Sequence, residues 1–198
     1  MKLIKNYPKI IQTLRHDCGA TALLSVFVYF DIFSRINDLK NETQTTPAGT
    51  TPERLVNVCI KHSLKAEFHE NMTIEDLKKN IDKKLPVLIS LQIKRQPFND
   101  IKKIWSKGHY VVVVGYDKNN IYFADPRFPY TMYLDKDELN DRWHDSDNYL
   151  KLEKKRRQHY GITFSPPKDW RSDNKPKPLI KFVDELIKKY NEQKGTEK

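Results

Sequence analysis

The chain has 198 residues, 38% hydrophobic and 31% charged, enough for one domain with a real core or for one domain plus an extension. The net charge is +10, but the lysines are spread along the whole length and no nucleic-acid-binding motif accompanies them. The reading is a solvated basic surface, with no nucleic-acid partner. Two cysteines, Cys18 and Cys59, exclude a disulfide framework or a zinc finger, and free cysteines point to a reducing compartment.

Met1 to Pro8 has no apolar signal-peptide core. The longest apolar run, Ala20 to Phe33, is broken by Asp31 and is too short to span a bilayer. The expectation is a cytoplasmic protein without stable membrane insertion.

Residues 1 to 17 read as extended or irregular. Residues 18 to 33 read as a helix, apolar nearly all round and therefore central. Asn37 to Thr50 is polar and reads as a loop. Thr51-Pro52-Glu53 opens a second helix, with a capping hydroxyl, Pro at the first position and an acid in the first turn. Lys65 to His69 is a short strand, and Thr73 caps a further helix with Ile74, Leu77 and Ile81 at helical spacing.

Strands follow: Leu85 to Ile93, then His109 to Asp117 with four consecutive valines, then Ile121 to Ala124 after a turn at Asn119-Asn120, then Tyr130 to Leu134. Asp135 caps a short helix that ends near Trp143-His144-Asp145. From about Asp147 the composition shifts. Residues 147–198 hold 14 Lys/Arg and 8 Asp/Glu, hence +6 of the +10, and Leu179 to Tyr190 has an amphipathic helical pattern. Helices first and a mostly antiparallel sheet afterwards make an α+β protein. The expected division is a domain over 1–146 and a basic, Pro-containing extension over 147–198, which packs on the domain or offers a surface to a protein partner.

The stretch from Gln12 to Leu23 carries the chemistry. Cys18 lies where an irregular segment becomes a helix, so unpaired N–H groups and the positive end of the helix dipole favour negative charge on its sulfur. Gln12, six residues upstream, brings an amide that could join the Cys18 N–H in holding an oxyanion. A cysteine nucleophile needs a base. Of six histidines, His109 follows Gly108 and opens the valine strand, which is either a base on a rigid strand mouth or a structural strand-end residue.

Asp125 closes the next strand, just before Pro126, as an orienting carboxylate or as a simple turn starter. Counting from the turn places Asp125 opposite about residue 113, on the His109 face but about four residues away. The other histidines are weaker: His16 faces solvent, His62 lies in a helix, His69 ends a strand, and His144 shapes a cleft or packs beside Trp143. Cys59 reads as core. No metal-ligand spacing, Gly-rich phosphate loop or GxSxG elbow is present.

Gln12, then Asp17-Cys18-Gly19-Ala20, then His109-Tyr110-Val111-Val112-Val113-Val114-Gly115-Tyr116, then Ala124-Asp125-Pro126 together resemble the C39 peptidase family of papain-like cysteine proteases. The resemblance covers roughly residues 7 to 145. The helix start at Thr51 and the Trp143-His144-Asp145 stretch look like the stand-alone form of that family. It implies a papain-like fold, with the nucleophile at a helix N-terminus, and a thiol peptidase without cofactor or metal, acting on a peptide or protein. By position, Cys18 would be nucleophile, His109 base and acid, Asp125 orienter and Gln12 oxyanion donor. Members best known for cutting leader peptides at a double glycine are fused to an ABC transporter. No membrane domain or ATPase follows here, so transport and the double-glycine substrate are not implied.

Two other readings stand beside hydrolysis. One keeps the Cys/His/Asp chemistry and transfers an acyl or γ-glutamyl group to an amine, as a transglutaminase-like enzyme does. The other is a non-catalytic peptide-binding module, against which the presence of Cys18 argues.

Overall fold

A computed structural model describes residues 1–93, 101–105, 108–147, 155–168, 170, 187–188 and 191. The elements in chain order are β1 (Lys2–Leu3), α1 (Cys18–Tyr29), α2 (Ile36–Glu42), α3 (Pro52–Lys61), β2 (Lys65–His69), α4 (Ile74–Asp82) and β3 (Val87–Gln92). There follow β4 (Gly108–Tyr116), β5 (Asn120–Ala124), β6 (Thr131–Asp135), α5 (Lys136–Arg142), β7 (His144–Asp147), β8 (Lys155–Gln158) and β9 (Gly161–Ser165). A 3-10 turn covers Ile101–Lys103. The helices and the antiparallel sheet form the α+β arrangement expected of a papain-like fold.

The sheet has strand order β2-β9-β3-β4-β5-β6, all pairs antiparallel. β4 is its axis. β3 pairs with it as far as Val113, and β1 takes over the same edge at Gly115 and Tyr116. Val111 to Val114 are all buried, since β4 is covered on both faces, which is why it reads as a continuous β-branched run rather than an alternation.

α1 packs across β4, and every residue of it except Val28 is buried. It stops at Tyr29, four residues short of the apolar run's end. Asp31 adopts φ 60°, its N–H reaches Val28 O at 3.2 Å, and Ile32 N–H returns to Phe27 O at 2.8 Å. This left-handed closure ends the helix although Ile32 and Phe33 remain apolar. α4 starts on a reciprocal cap: Thr73 Oγ1 accepts from Asp76 N–H, and Asp76 accepts from Thr73 N–H.

The structure departs from the sequence reading in four places. The polar stretch after Asn37 is not all loop, because α2 occupies Ile36–Glu42 and buries Leu39. α1 ends at Tyr29 rather than at residue 33. The hairpin turn lies at Lys118-Asn119, one residue earlier than expected: Asp117 N–H bonds Asn120 O at 3.0 Å, and the Asp117 carboxylate accepts from Asn119 and Asn120 N–H.

Fourth, the sheet draws on residues beyond 146. β9 inserts between β2 and β3, and Ile162 and Phe164 are buried there. The charge run before it, Lys151 to Arg157, hid this strand from composition. Arg157 itself is buried, paired with Glu53 and, at 2.7 Å, with Glu70. Further on, Trp170 packs at a steep tilt against Tyr29 and edge-to-face against Phe30, and donates its Nε1–H to Tyr29 O at 2.9 Å. The amphipathic stretch Leu179 to Tyr190 lies almost wholly outside the described residues. No helix among the described residues is long and apolar enough to cross a membrane.

Candidate active site

Cys18 begins α1, as the irregular-to-apolar switch requires. Asp17, at the N-cap position, does not cap the helix with its side chain. Its carboxylate is fully buried and turns away to Lys40 Nζ at 3.0 Å and Thr13 Oγ1 at 3.2 Å, with His16 Nε2 3.7 Å from Oδ1. The first N–H groups of α1 therefore receive no side-chain acceptor from Asp17 and remain directed toward the space beyond Cys18. Gly19 is dictated by packing: a Cβ there would lie 2.6 Å from Thr50 Cγ2 and 3.1 Å from the Tyr110 ring.

His109 sits at the mouth of β4, and its ring is almost wholly buried. Its Nε2–H donates to Asp125 Oδ1 at 2.7 Å. The Cys18 thiol lies near enough to favour the charged form of the same ring. Burial is the largest single influence on this imidazole and disfavours its charged form. The bond to Asp125 and the nearby Cys18 thiol together outweigh burial, so the ring's pKa is raised above its ordinary value. Burial likewise opposes ionisation of Asp125, but the bonds from His109 and Arg127 hold its carboxyl well below the usual range.

A β-bulge makes the His109–Asp125 contact possible. Tyr116 pairs with Ile121 and Gly115 with Tyr122, but beyond the irregularity Val113 pairs with Phe123 and Val112 with Ala124. One extra residue on β4 has been absorbed. Continued without the bulge, the register would set Asp125 opposite Val112, on the wrong face for His109. With it, Asp125 falls opposite Val111, on the His109 face and one diagonal step away. The earlier turn and the bulge each contribute one residue, and together they reduce the expected gap of four residues to two.

Gln12 lies in the irregular segment before α1, and its N–H bonds Pro126 O at 2.7 Å, which ties this segment to the turn after Asp125. Its side-chain Nε2 donates to Leu14 O at 2.7 Å, while Oε1 is buried without a partner among the described residues. One of its two amide N–H donors is thus spent locally. Cys59 is fully buried in α3, and burial pushes its thiol pKa up. Among the described residues, no group of three or more His, Cys, Asp or Glu is placed to hold a metal.

Three further residues belong to this region and escaped the sequence reading. Arg127 grips Asp125 with Nη2 to Oδ2 at 2.6 Å and Nε to Oδ1 at 3.1 Å. Its position two residues after an Asp-Pro is the signal that could have found it, since the Asx turn brings Arg127 N–H to Asp125 Oδ1 at 2.9 Å. Asp145 lies beneath Gly108 so closely that a Cβ on Gly108 would overlap its carboxylate. That carboxylate accepts from Ser90 Oγ at 2.8 Å, Gln92 Nε2 at 3.2 Å and Ser146 N–H at 2.8 Å, and so anchors the start of β4. Lys40, on α2, pins Asp17 beside the cysteine. Neither Asp145 nor Lys40 has a local signature. Of the other residues in that stretch, Trp143 is fully buried with Nε1–H on Tyr160 O at 2.8 Å, and His144 donates to Ile104 O at 2.8 Å. Both pack.

The family model described as Peptidase C39 family matches residues 6–156. The transport/processing ATP-binding protein ComA of Streptococcus pneumoniae is 31% identical over 114 residues, which are 56% of this chain and 14% of that protein. Three crystal structures share the fold. A protein from Bacillus anthracis named as a C39-like peptidase superposes with a TM-score of 0.67 at 18% identity, covering 84% of this chain and 98% of that one. The peptidase domain of Streptococcus ComA gives 0.61 at 21% identity, covering 82% and 100%. A double glycine motif protease from an AMS/PCAT transporter, in complex with the leader peptide, gives 0.59 at 17% identity, covering 84% and 99%.

Proposed function

Because the chain belongs to the peptidase C39 family, we propose that it is a cysteine peptidase in which Cys18, His109 and Asp125 act as nucleophile, base and orienter. The observation that supports this reading is the buried His109 ring, bonded to Asp125 at 2.7 Å and near enough to the Cys18 thiol to be influenced by it. Asp125 fixes the tautomer by accepting Nε2–H, so Nδ1 takes the Cys18 proton. The sulfur attacks the carbonyl carbon of a peptide bond. The negative charge on the carbonyl oxygen is met by the Cys18 N–H and by the Gln12 amide N–H not given to Leu14. Collapse expels the amine, which leaves with the proton from His109, and a thioester remains on Cys18. His109 then deprotonates a water, which attacks the thioester and frees the carboxylic acid.

A peptide substrate is further supported by the fold relative that holds a leader peptide. The test is a mixture of peptides incubated with the protein and read by mass spectrometry. The native protein is expected to produce new termini and a trappable acyl adduct on Cys18, and Cys18→Ala neither. Cleavage retained by Cys18→Ala would move the nucleophile elsewhere and end this reading. If added amines appear in the products in place of water, acyl transfer replaces hydrolysis.

A further inference from the structure

We propose that Arg127 is a positioning residue of this site: its forked grip on Asp125 weakens the carboxylate's hold on the His109 ring and so lowers the pH window in which Cys18 and His109 work together. The inference rests on the roles given above to Cys18, His109 and Asp125.

The geometry is a competition for one carboxylate. Oδ1 of Asp125 accepts from His109 Nε2 at 2.7 Å, Arg127 N–H at 2.9 Å and Arg127 Nε at 3.1 Å. Oδ2 accepts from Arg127 Nη2 at 2.6 Å and Nε at 3.2 Å. A guanidinium is charged throughout the accessible pH range and matches a carboxylate through two parallel bonds. A carboxylate so neutralised is a poorer acceptor for a third donor, and the guanidinium also repels a charged imidazole sharing that carboxylate. Arg127 is held in place by the Asx turn and by the Phe128 ring, whose centroid lies 5.2 Å from Cζ.

Among the described residues, the charged and titratable groups facing this pair from other elements are few. Cys18 of α1 lies near His109 and favours its charged form. Glu138 and Arg142 of α5 line a cavity of about 250 Å³ with Asp125 and Arg127, but they pair with each other at 2.8 Å, and Arg142 also donates to Gln92 O at 3.0 Å. Asp145 of β7 lies under Gly108, bonded to Ser90, Gln92 and Ser146. Tyr110, beside His109 on β4, points to the other face, where its hydroxyl meets Thr50 O. Among the described residues, Arg127 is therefore the cation that acts on Asp125 by direct contact.

Removing the guanidinium should not release the carboxylate. The backbone N–H of residue 127 and the His109 ring still hold Oδ1. Oδ2 loses its donor, which leaves more negative charge to stabilise the imidazolium. The His109 midpoint then rises, and Asp125 takes up its proton at a higher pH than before, so both ends of the window move up.

The experiment follows the His109 ring by NMR across pH in the full chain. It uses the Cys18→Ala background, which removes the coupled thiol titration. Arg127→Gln should raise the His109 midpoint by about one pH unit, and Arg127→Lys, which keeps a charge without the fork, by less. In the chain with Cys18 intact, the alkaline limb of peptide cleavage should move up by the same amount. A midpoint that falls or stays put in Arg127→Gln overturns the proposal. If Arg127→Gln does not fold, a Lys variant that titrates as the native arginine does overturns it too. Should the native chain cleave no peptide, the peptidase reading fails, while the ring titration still decides the role of Arg127.

Discussion

His109 and His62 each donate Nε2–H to a carboxylate 2.7 Å away, Asp125 in one case and Glu42 in the other. Each also has a cysteine associated with it. Cys59 is three residues before His62 at the end of α3, whereas Cys18 is far from His109 in the chain. Yet the Cys18 thiol lies near enough to His109 to favour its charged form, while Nδ1 of His62 is buried without a partner among the described residues and its ring packs on Phe27. Cys59 faces the core from the stripe it shares with Leu55 and Val58, where burial pushes its thiol up. A histidine–carboxylate bond of good length is thus common property. What distinguishes the first set is that His109 and Asp125 come from a strand mouth and a strand end, with the thiol at a helix N-terminus close enough to influence the ring.

The sharpest way to break this comparison is to remove each ring. His109→Ala should lower the rate of peptide cleavage about 10³-fold, the usual scale for loss of a general base. His62→Ala should leave the rate per folded molecule within about threefold. Comparable losses would mean that His109 is not special. Next in size is chemical reactivity. Iodoacetamide at neutral pH should label Cys18 about 10²-fold faster than Cys59, read by peptide mass mapping, because Cys59 is enclosed on all sides. Equal rates would remove the distinction between the two thiols.

Gly108→Ala should destabilise the fold by about 2 kcal/mol in a denaturant titration, since the added methyl meets the buried Asp145 carboxylate. A change under about 0.5 kcal/mol would show that Asp145 can move aside and does not anchor β4.

A smaller effect concerns pH. Asp125 is depressed in the fold, so its contribution is complete above the unfolded carboxylate value of about 3.9 and is lost as pH falls through the lower folded value. His109 is raised, so its contribution is complete below about 6.5 and is lost as pH rises through the folded value. The stability advantage of the native protein over Asp125→Asn should therefore peak between these limits at about 1–2 kcal/mol and shrink on both sides in thermal melts. A flat difference across pH would contradict the ion-pair account. Smallest of all, Glu42→Gln should cost no more than about 0.5 kcal/mol, because Glu42 is partly exposed and its partner His62 serves packing.

Several of these residues were legible before any fold was known. Cys18 stood out because an apolar helical run begins at it. His109 stood out because glycine precedes it and four valines follow, and Asp125 because it ends a strand before proline. Each of these signals lies within a few residues of the group it marks. Strand β9 was not legible, because a run of lysines and arginines before it outweighed the alternation of Tyr160, Ile162 and Phe164. Asp145 and Lys40 were not legible because what they contact lies 37 and 23 residues away in sequence, at Gly108 and Asp17.

The sequence by itself determined where α1, α3, β2, α4 and α5 begin, since caps, periodicity and branched side chains act over one or two turns of chain. It thereby named the thiol, the imidazole and the carboxylate. Whether they meet was decided only by the tertiary structure. One residue absorbed by the bulge between Val113 and Gly115 turns Asp125 to the face of His109, and a strand's side chains change face with every residue of register. Arg127 then becomes a partner of that carboxylate, and Asp145 the floor of the strand that carries the ring, because strands distant in sequence close against one another.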